Sequence, residues 1–326
     1  MSSGELKIFS GTANFPLFEK ICNYLGHPQG QMTVEKFPDG ETFCRIEEDV
    51  RGKDVFIIQP TCRPVNDTMM ELLIMIDAVR RASAAHITAV VPYFGYARQD
   101  RKDEGRVPIT AKLAANLLES AGATRVMALD LHSAQIQGFF DVPFDHLSAS
   151  PVIDDYINSL GYDPEEVVVV SPDAGSIKRA TKHVAALGGT LAIIDKRRKS
   201  GSEVEQAHLI GDRIEGRIAL IFDDMISTGG SITGAAHVVK EMGAKKVYVA
   251  ATHGILCGPA IERLQNAPIE EVVLSDTIPL LPEHNIPKIK VLSCAPIVAE
   301  AIKRIHSNQS ISEMFKTLNF NFGQYF

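Results

Sequence analysis

The feature that most restricts the fold of this chain is a segment written twice. Residues 121–133, AGATRVMALDLHS, run parallel to residues 242–254, MGAKKVYVAATHG: Gly122 and Gly243, Ala123 and Ala244, Val126 and Val247, and His132 and His253 share one offset. Each copy follows a helical stretch of small residues, ITAKLAANLLES in the first and GSITGAAHVVKE in the second, and each of those follows an apolar strand, ITAVVPYF or RIALIFDDM. Strand, turn, helix, Gly-Ala turn, strand is the order of a parallel sheet with crossover helices, so the fold class is α/β. Upstream, KDVFIIQP with a helix from about Asn66 to Ala82 matches EVVVVSPDAGSIKRATKHVAALGG with TLAIID after it. The expectation is two similar domains, each a mainly parallel sheet flanked by helices, over 1–150 and 151–316. The pattern breaks near residues 147–163, where Pro151 and Gly161 stand just ahead of Pro164, and the tail 317–326, ending NFNFGQYF, fits neither domain.

Composition narrows the function. A chain of 326 residues that is 45% hydrophobic and 22% charged can bury two ordinary cores and is too apolar to be disordered. Its formal charge of -7 offers no general attraction to nucleic acid or to an anionic membrane surface, which favours a small-molecule partner held by local clusters of Lys and Arg. Five cysteines lack C-x-x-C spacing, and the start MSSGELKIFSG has no targeting pattern, so a reducing, cytoplasmic location is expected. No apolar run approaches the roughly 20 residues that span a bilayer. The longest, MMELLIMIDAV, carries Glu71 and Asp77 and reads as a helix with one buried face.

The two copies differ where strand turns to helix. The second has FDDMISTGGS, whereas the first has the longer, highly charged PYFGYARQDRKDEGRVP without an acidic pair. In a parallel α/β sheet the strand ends and the helix N-termini that follow form the ligand crevice. Ser227, Thr228, Gly229, Gly230 and Ser231 are expected there. Glycines let successive backbone N–H groups curl inward, the helix dipole adds positive charge, and hydroxyls supply more donors, which suits a phosphate monoester. Asp223 and Asp224 at the strand end are acceptors suited to the vicinal hydroxyls of a sugar. Pair and loop together suit a phosphorylated ribose. Neither G-x-x-x-x-G-K-[ST] nor G-x-G-x-x-G is present.

FDDMISTGGS resembles the phosphoribosyl-binding signature of the type I phosphoribosyltransferase fold. With FPDGE, YARQDRKD, DLHSAQIQGFFD, VVVSPDAGSIKRA and IDKRRK in the right order, the chain from about Lys7 to Phe315 is similar to the ribose-phosphate diphosphokinase family. The resemblance implies two phosphoribosyltransferase-like domains and transfer of the diphosphoryl group of ATP to the anomeric hydroxyl of ribose 5-phosphate, releasing AMP. It places ribose 5-phosphate on Asp223, Asp224, the loop Ser227 to Ser231, and Arg198. It implies an ATP site on Phe37, Asp39, Glu41, Arg98 and Gln99, the ring stacking the base, the carboxylates accepting from adenine and ribose, and the arginine fork suiting the polyphosphate. Read alone, FPDGE is a hairpin turn.

His132 and Asp173 match the family's magnesium-linked positions, and a hard Mg²⁺ held by one or two side chains plus substrate phosphates is usual in nucleotide enzymes. His253, at the equivalent position of the second copy, is expected to be structural. Lys196 and Arg198 match the family's catalytic flexible loop, where cations neutralise charge developing on the transferred and leaving groups. The family's shared adenine site and its dimers that gather into hexamers imply a homo-oligomer. One departure stands out: relatives usually carry an acid where this chain has Ser227, so an acceptor for sugar or water is lost. A phosphoribosyltransferase that consumes the diphosphate and a non-catalytic, nucleotide-binding paralogue remain as alternatives; joint retention of Lys196, Arg198, His132 and Asp173 weighs against the paralogue.

Overall fold

The computed structural model of the chain describes residues 4–197 and 206–317, which divide into two compact units. The first begins with β1 (Leu6–Ser10), α1 (Phe15–Leu25), a hairpin of β2 (Met32–Lys36) and β3 (Thr42–Ile46), β4 (Asp54–Ile58) and α2 (Val65–Arg81). It continues with β5 (His86–Val91), α3 (Thr110–Ala121), β6 (Arg125–Leu129) and β7 (Phe144–Leu147). Its sheet has the order β1-β4-β5-β6-β7, all parallel, while β2 and β3 form their own antiparallel ribbon. Helices cover both faces of such a sheet, so the middle strands read as unbroken apolar runs rather than alternating ones; every residue of β4 is buried.

The second unit runs through α4 (Ser150–Ser159), β8 (Val167–Ser171), α5 (Ile177–Leu187), β9 (Thr190–Arg197), β10 (Gln206–Gly211) and β11 (Ile218–Ile226). After it come α6 (Gly230–Glu241), β12 (Lys246–Gly254), α7 (Ala260–Asn266), β13 (Glu271–Ser275) and β14 (Ile289–Leu292). The sheet order is β10-β9-β8-β11-β12-β13-β14, parallel except for β10 against β9. The written-twice segment is realised as β5-α3-β6 and β11-α6-β12. The upstream match holds for β4-α2 and β8-α5, and then the chains part. After α2 the first unit goes straight to β5 beside β4. After α5 the second goes outward to β9, turns back through β10, and only then enters β11 on the other side of β8. The place beside β4 that corresponds to β9 is filled by β1, which comes earlier in the chain.

Two sequence-based boundaries need correction. The chain passes from the first unit to the second between Ala149 and Ser150, and the stretch 147–163, expected as a break, contains a regular helix, α4, in which Pro151 occupies an early position that needs no N–H partner. The second unit does not run on to residue 316. The chain from Ser293 onward, with α8 (Ala295–His306) and α9 (Ile311–Thr317), groups with the first unit. There α8 packs against α1, burying Ile297, Val298, Ala301 and Ile302, and His306 Nδ1 lies 2.8 Å from Oδ2 of the buried Asp54. Which of the two cores the apolar stripe of α8 joins is decided by packing against α1, not by any local feature of the segment. The run around Glu71 is α2 as expected, and its carboxylate is buried, accepting from Thr12 N–H at 2.6 Å and from Gln59 Nε2 at 2.8 Å.

Candidate active site

In the second unit β8 and β11 are neighbours, so Asp173, two residues past β8, and the acidic pair near the end of β11 emerge at adjacent strand ends. Asp173 is exposed; its Oδ1 accepts from Ser176 N–H at 2.8 Å, and its carbonyl accepts from Ser171 Oγ at 2.7 Å. These bonds form a tight turn that launches α5. One turn into α5 stands Arg179, which the motif reading passed over. Its guanidinium spans the acidic pair, with Nη1 2.8 Å from Asp223 Oδ1 and Nη2 3.2 Å from Asp224 Oδ1. Asp223 Oδ1 also accepts from Asp224 N–H at 2.9 Å. The residue before the pair, Phe222, stacks on the buried imidazole of His183 at 3.6 Å, and His183 Nδ1 lies 2.6 Å from Asp154 on α4. The strand end is therefore anchored from below.

Two carboxylates this close cannot both ionise freely. Burial, then the hydrogen bond and like charge of Asp224, push Asp223 up to about 7, while Arg179 pulls in the opposite direction. A basic residue one turn into the helix after a neighbouring strand is a signal that sequence carries, but only the strand order says which carboxylates it meets.

The loop after β11 behaves as its glycines require. Gly229 is buried with φ +76° and caps α6 without a side-chain hydrogen bond, and a Cβ there would lie 3.5 Å from the backbone of Ala260. The left-handed conformation is strained for any residue with a side chain. Thr228, Gly230 and Ser231 are exposed, Ser227 half-buried with Oγ 3.3 Å from Cys257 Sγ. The first turn of a twelve-residue helix thus presents its N–H groups beside hydroxyls, with two carboxylates at the strand end before it.

In the first unit, FPDGE is the turn joining β2 to β3. Gly40 N–H donates to Phe37 O and Phe37 N–H to Glu41 O, both at 2.8 Å, and Asp39 Oδ1 accepts from Glu41 N–H at 3.1 Å. Gly40 has φ +94°. Phe37 is 49% exposed and meets Phe43 edge to face at 5.6 Å, which leaves ring surface open for stacking, and Asp39 and Glu41 are exposed beside it. Arg98 and Gln99 lie elsewhere, on the long connection from β5 to α3. Both are exposed, and Gln99 ties the connection to the helix start by accepting from Ala111 N–H at 3.1 Å and from the Thr110 hydroxyl.

His132 follows the end of β6 and is exposed, whereas β12 runs longer, so His253 still lies within the strand, buried, opposite Met225. A four-residue difference in strand length, nine against five, separates the two equivalent histidines. Among the described residues no three His, Cys, Asp or Glu side chains form a ready metal cage. Lys196 lies on β9 opposite Ala207 of β10, in a paired strand rather than in a free loop, and Arg198 lies outside the described residues.

The raised Asp223 gives a pH signature. Its folded value of about 7 exceeds the ordinary 3.8, so the associated stability is fully present below about pH 3.8 and is lost as pH rises through 7. Between about pH 5 and 8 the thermal midpoint of the wild type, followed by circular dichroism, should fall relative to that of Asp223→Asn by several degrees, about 2–4 °C for each kcal/mol involved. Parallel pH profiles of the two proteins would show that Asp223 is ionised throughout.

Comparison with known proteins places the chain in a family. Residues 6–122 match the family model for the N-terminal domain of ribose phosphate pyrophosphokinase, and residues 202–316 match that of the phosphoribosyl synthetase-associated domain. The ribose-phosphate pyrophosphokinase of Rhodopirellula baltica is 62% identical over 312 residues, covering 96% of this chain and 99% of that protein. That of Fusobacterium nucleatum is 50% identical over 310 residues, covering 95% and 98%. The crystal structure of phosphoribosylpyrophosphate synthetase from Mycobacterium smegmatis, 42% identical, superposes with a TM-score of 0.87 and covers 93% of this chain and 99% of that one. With identity of this order along nearly the whole length of each relative, the chain belongs to the ribose-phosphate pyrophosphokinase family.

Proposed function

We propose that this chain transfers the β,γ-diphosphoryl group of ATP to the anomeric hydroxyl of ribose 5-phosphate, giving 5-phosphoribosyl 1-diphosphate and AMP. The observation that carries the reading is the end of β11, where the Asp223–Asp224 pair meets the left-handed Gly229 and the open N-terminus of α6. Amides and hydroxyls of 227–231 hold the 5-phosphate, and the carboxylates accept from ribose hydroxyls. Arg179 keeps the pair from repelling itself while still leaving it able to accept. The exposed Phe37 ring stacks adenine, Asp39 and Glu41 accept from the nucleoside, and Arg98 and Gln99 meet the phosphates.

The reaction is one displacement. The anomeric oxygen bonds to the β-phosphorus, the bond from that phosphorus to the oxygen bridging it to the α-phosphorus breaks, AMP leaves with the bridging oxygen, and the hydroxyl proton passes to solvent. No covalent enzyme intermediate is needed. Mg²⁺ would neutralise the charge of the ATP phosphates, and His132 in the first unit and Asp173 in the second are the separate candidates for holding such an ion. Lys196 and Arg198 supply cations to the transferred and leaving groups. Free thiols at all five cysteines, and no described helix long and apolar enough to cross a membrane, support a cytoplasmic setting. Leu113 and Leu117, exposed one turn apart on α3, support a homo-oligomer.

Supplied with ATP, Mg²⁺ and ribose 5-phosphate, the protein should form AMP and phosphoribosyl diphosphate in equal amounts, read by ³¹P NMR. Formation of ADP would instead mean a sugar kinase, and turnover only with a nucleobase and preformed phosphoribosyl diphosphate would mean a phosphoribosyltransferase. Gly229→Val should raise the KM for ribose 5-phosphate far more than that for ATP, because a branched side chain forces the φ of +76° out of its basin. Equal losses would remove the loop from the sugar-phosphate site. Lys196→Ala should lower kcat by about two to four orders of magnitude with little change in ribose 5-phosphate affinity, the scale of losing preorganised donors. An effect no larger than that of Lys182→Ala, on the exposed face of α5, would take Lys196 off the catalytic list.

A further inference from the structure

The carbonyls leading into the loop are all turned to one side. Ile226 O accepts from the N–H groups of Ile255 and Leu256, and Ser227 O from that of Cys257, each at 3.0 Å. Thr228 O accepts from Arg263 Nη1, also at 3.0 Å. Across a planar trans peptide the C=O of one residue and the N–H of the next point in opposite directions. Holding the carbonyls of 226, 227 and 228 toward the segment 255–263 therefore turns the N–H groups of 227, 228 and 229 away from it.

The first three of these bonds come from backbone donors that almost any sequence would supply. The last comes from a side chain, on α7, and it restrains the peptide most in need of it. The 228–229 peptide precedes a glycine, which tolerates either sign of φ, so this unit can flip at little steric cost. A flip would send the Gly229 N–H to the wrong side. A charge-assisted bond from a guanidinium to Thr228 O opposes it. The same Nη1 would lie 3.2 Å from a Cβ placed on Gly230, so the cation lies against the loop along two successive residues.

The geometry points to Arg263 as a positioning residue that fixes the 228–229 peptide with its N–H toward the phosphate monoester and so sets the preference for a phosphorylated over an unphosphorylated sugar. This rests on the reading of the loop as the ribose 5-phosphate site. Arg263 acts through the loop backbone and not by touching the reacting atoms. A hollow of about 290 Å³ among Thr233, His237, Pro259, Glu262, Arg263 and Asn266 leaves room for a shorter or longer side chain.

Steady-state kinetics of the wild type, Arg263→Ala, Arg263→Gln and Arg263→Lys test this. Removing the donor should raise the KM for ribose 5-phosphate by about tenfold or more, the scale of one charge-assisted hydrogen bond. The KM for ATP should stay within about twofold and kcat should change little, because a general structural defect moves all three together. Arg263→Lys, which keeps a cationic donor, should restore most of the affinity. Inhibition by unphosphorylated ribose should be the same in all four proteins. Arg263→Gln carries the same expectation as Arg263→Ala should the latter not fold. An unchanged ribose 5-phosphate KM in the variant that folds, equal rises for both substrates, or a lysine variant as impaired as the glutamine one would each overturn the role of Arg263. Failure of the wild type to make AMP and phosphoribosyl diphosphate would instead overturn the function on which it rests.

Discussion

Parallel strands hydrogen-bonded side by side must all end at the same edge of their sheet, and the chemistry of this protein follows from that constraint. Most of the strands hand over to a helix there, so loop amides, helix N-termini and strand-end side chains collect along one line. In the second unit β8 and β11 are adjacent, and this alone brings the Asp173 turn, Arg179 and the Asp223–Asp224 pair within reach of one another. Both strands are apolar and buried almost throughout, as central strands of a parallel sheet covered on both faces are.

The electrostatics of the strand end rest on an imbalance. Two carboxylates share one guanidinium in a largely buried place, which keeps the pair short of full ionisation, with Asp223 raised to about 7. Arg179 meets both acceptors, Asp223 at 2.8 Å and Asp224 at 3.2 Å, and so offsets the like charge of the pair. Behind it, the Phe222–His183 stack and the His183–Asp154 contact hold the backbone from which the pair projects.

The duplicated architecture has diverged by topology as well as by residue. The two units share the strand-helix-strand element that carries the repeat, yet one fills the strand position beyond β4 with β1, and the other fills the matching position with β9 and its antiparallel partner β10. That rearrangement puts Lys196 on a paired strand of the second unit, in a place that has no counterpart after α2. The longer β12 likewise buries His253, while His132 is left exposed past the end of β6.

Sequence by itself determined whatever depends on neighbours along the chain. The α/β class, the repeat, the FPDGE turn and the glycine loop before α6 were legible because turn chemistry, apolar period and left-handed glycine positions are local. Tertiary structure decided what depends on partners far apart in sequence. Arg179 reaches Asp223 because two strands separated by α5 and the β9–β10 hairpin lie side by side. Arg263 reaches Thr228 only because β12 returns the chain behind the loop. The helix α8 rejoins the first unit because its apolar stripe matches α1, a complementarity of shapes that exists only once both helices are folded. An amphipathic pattern states that a face will be buried; which surface buries it is a property of the packed molecule.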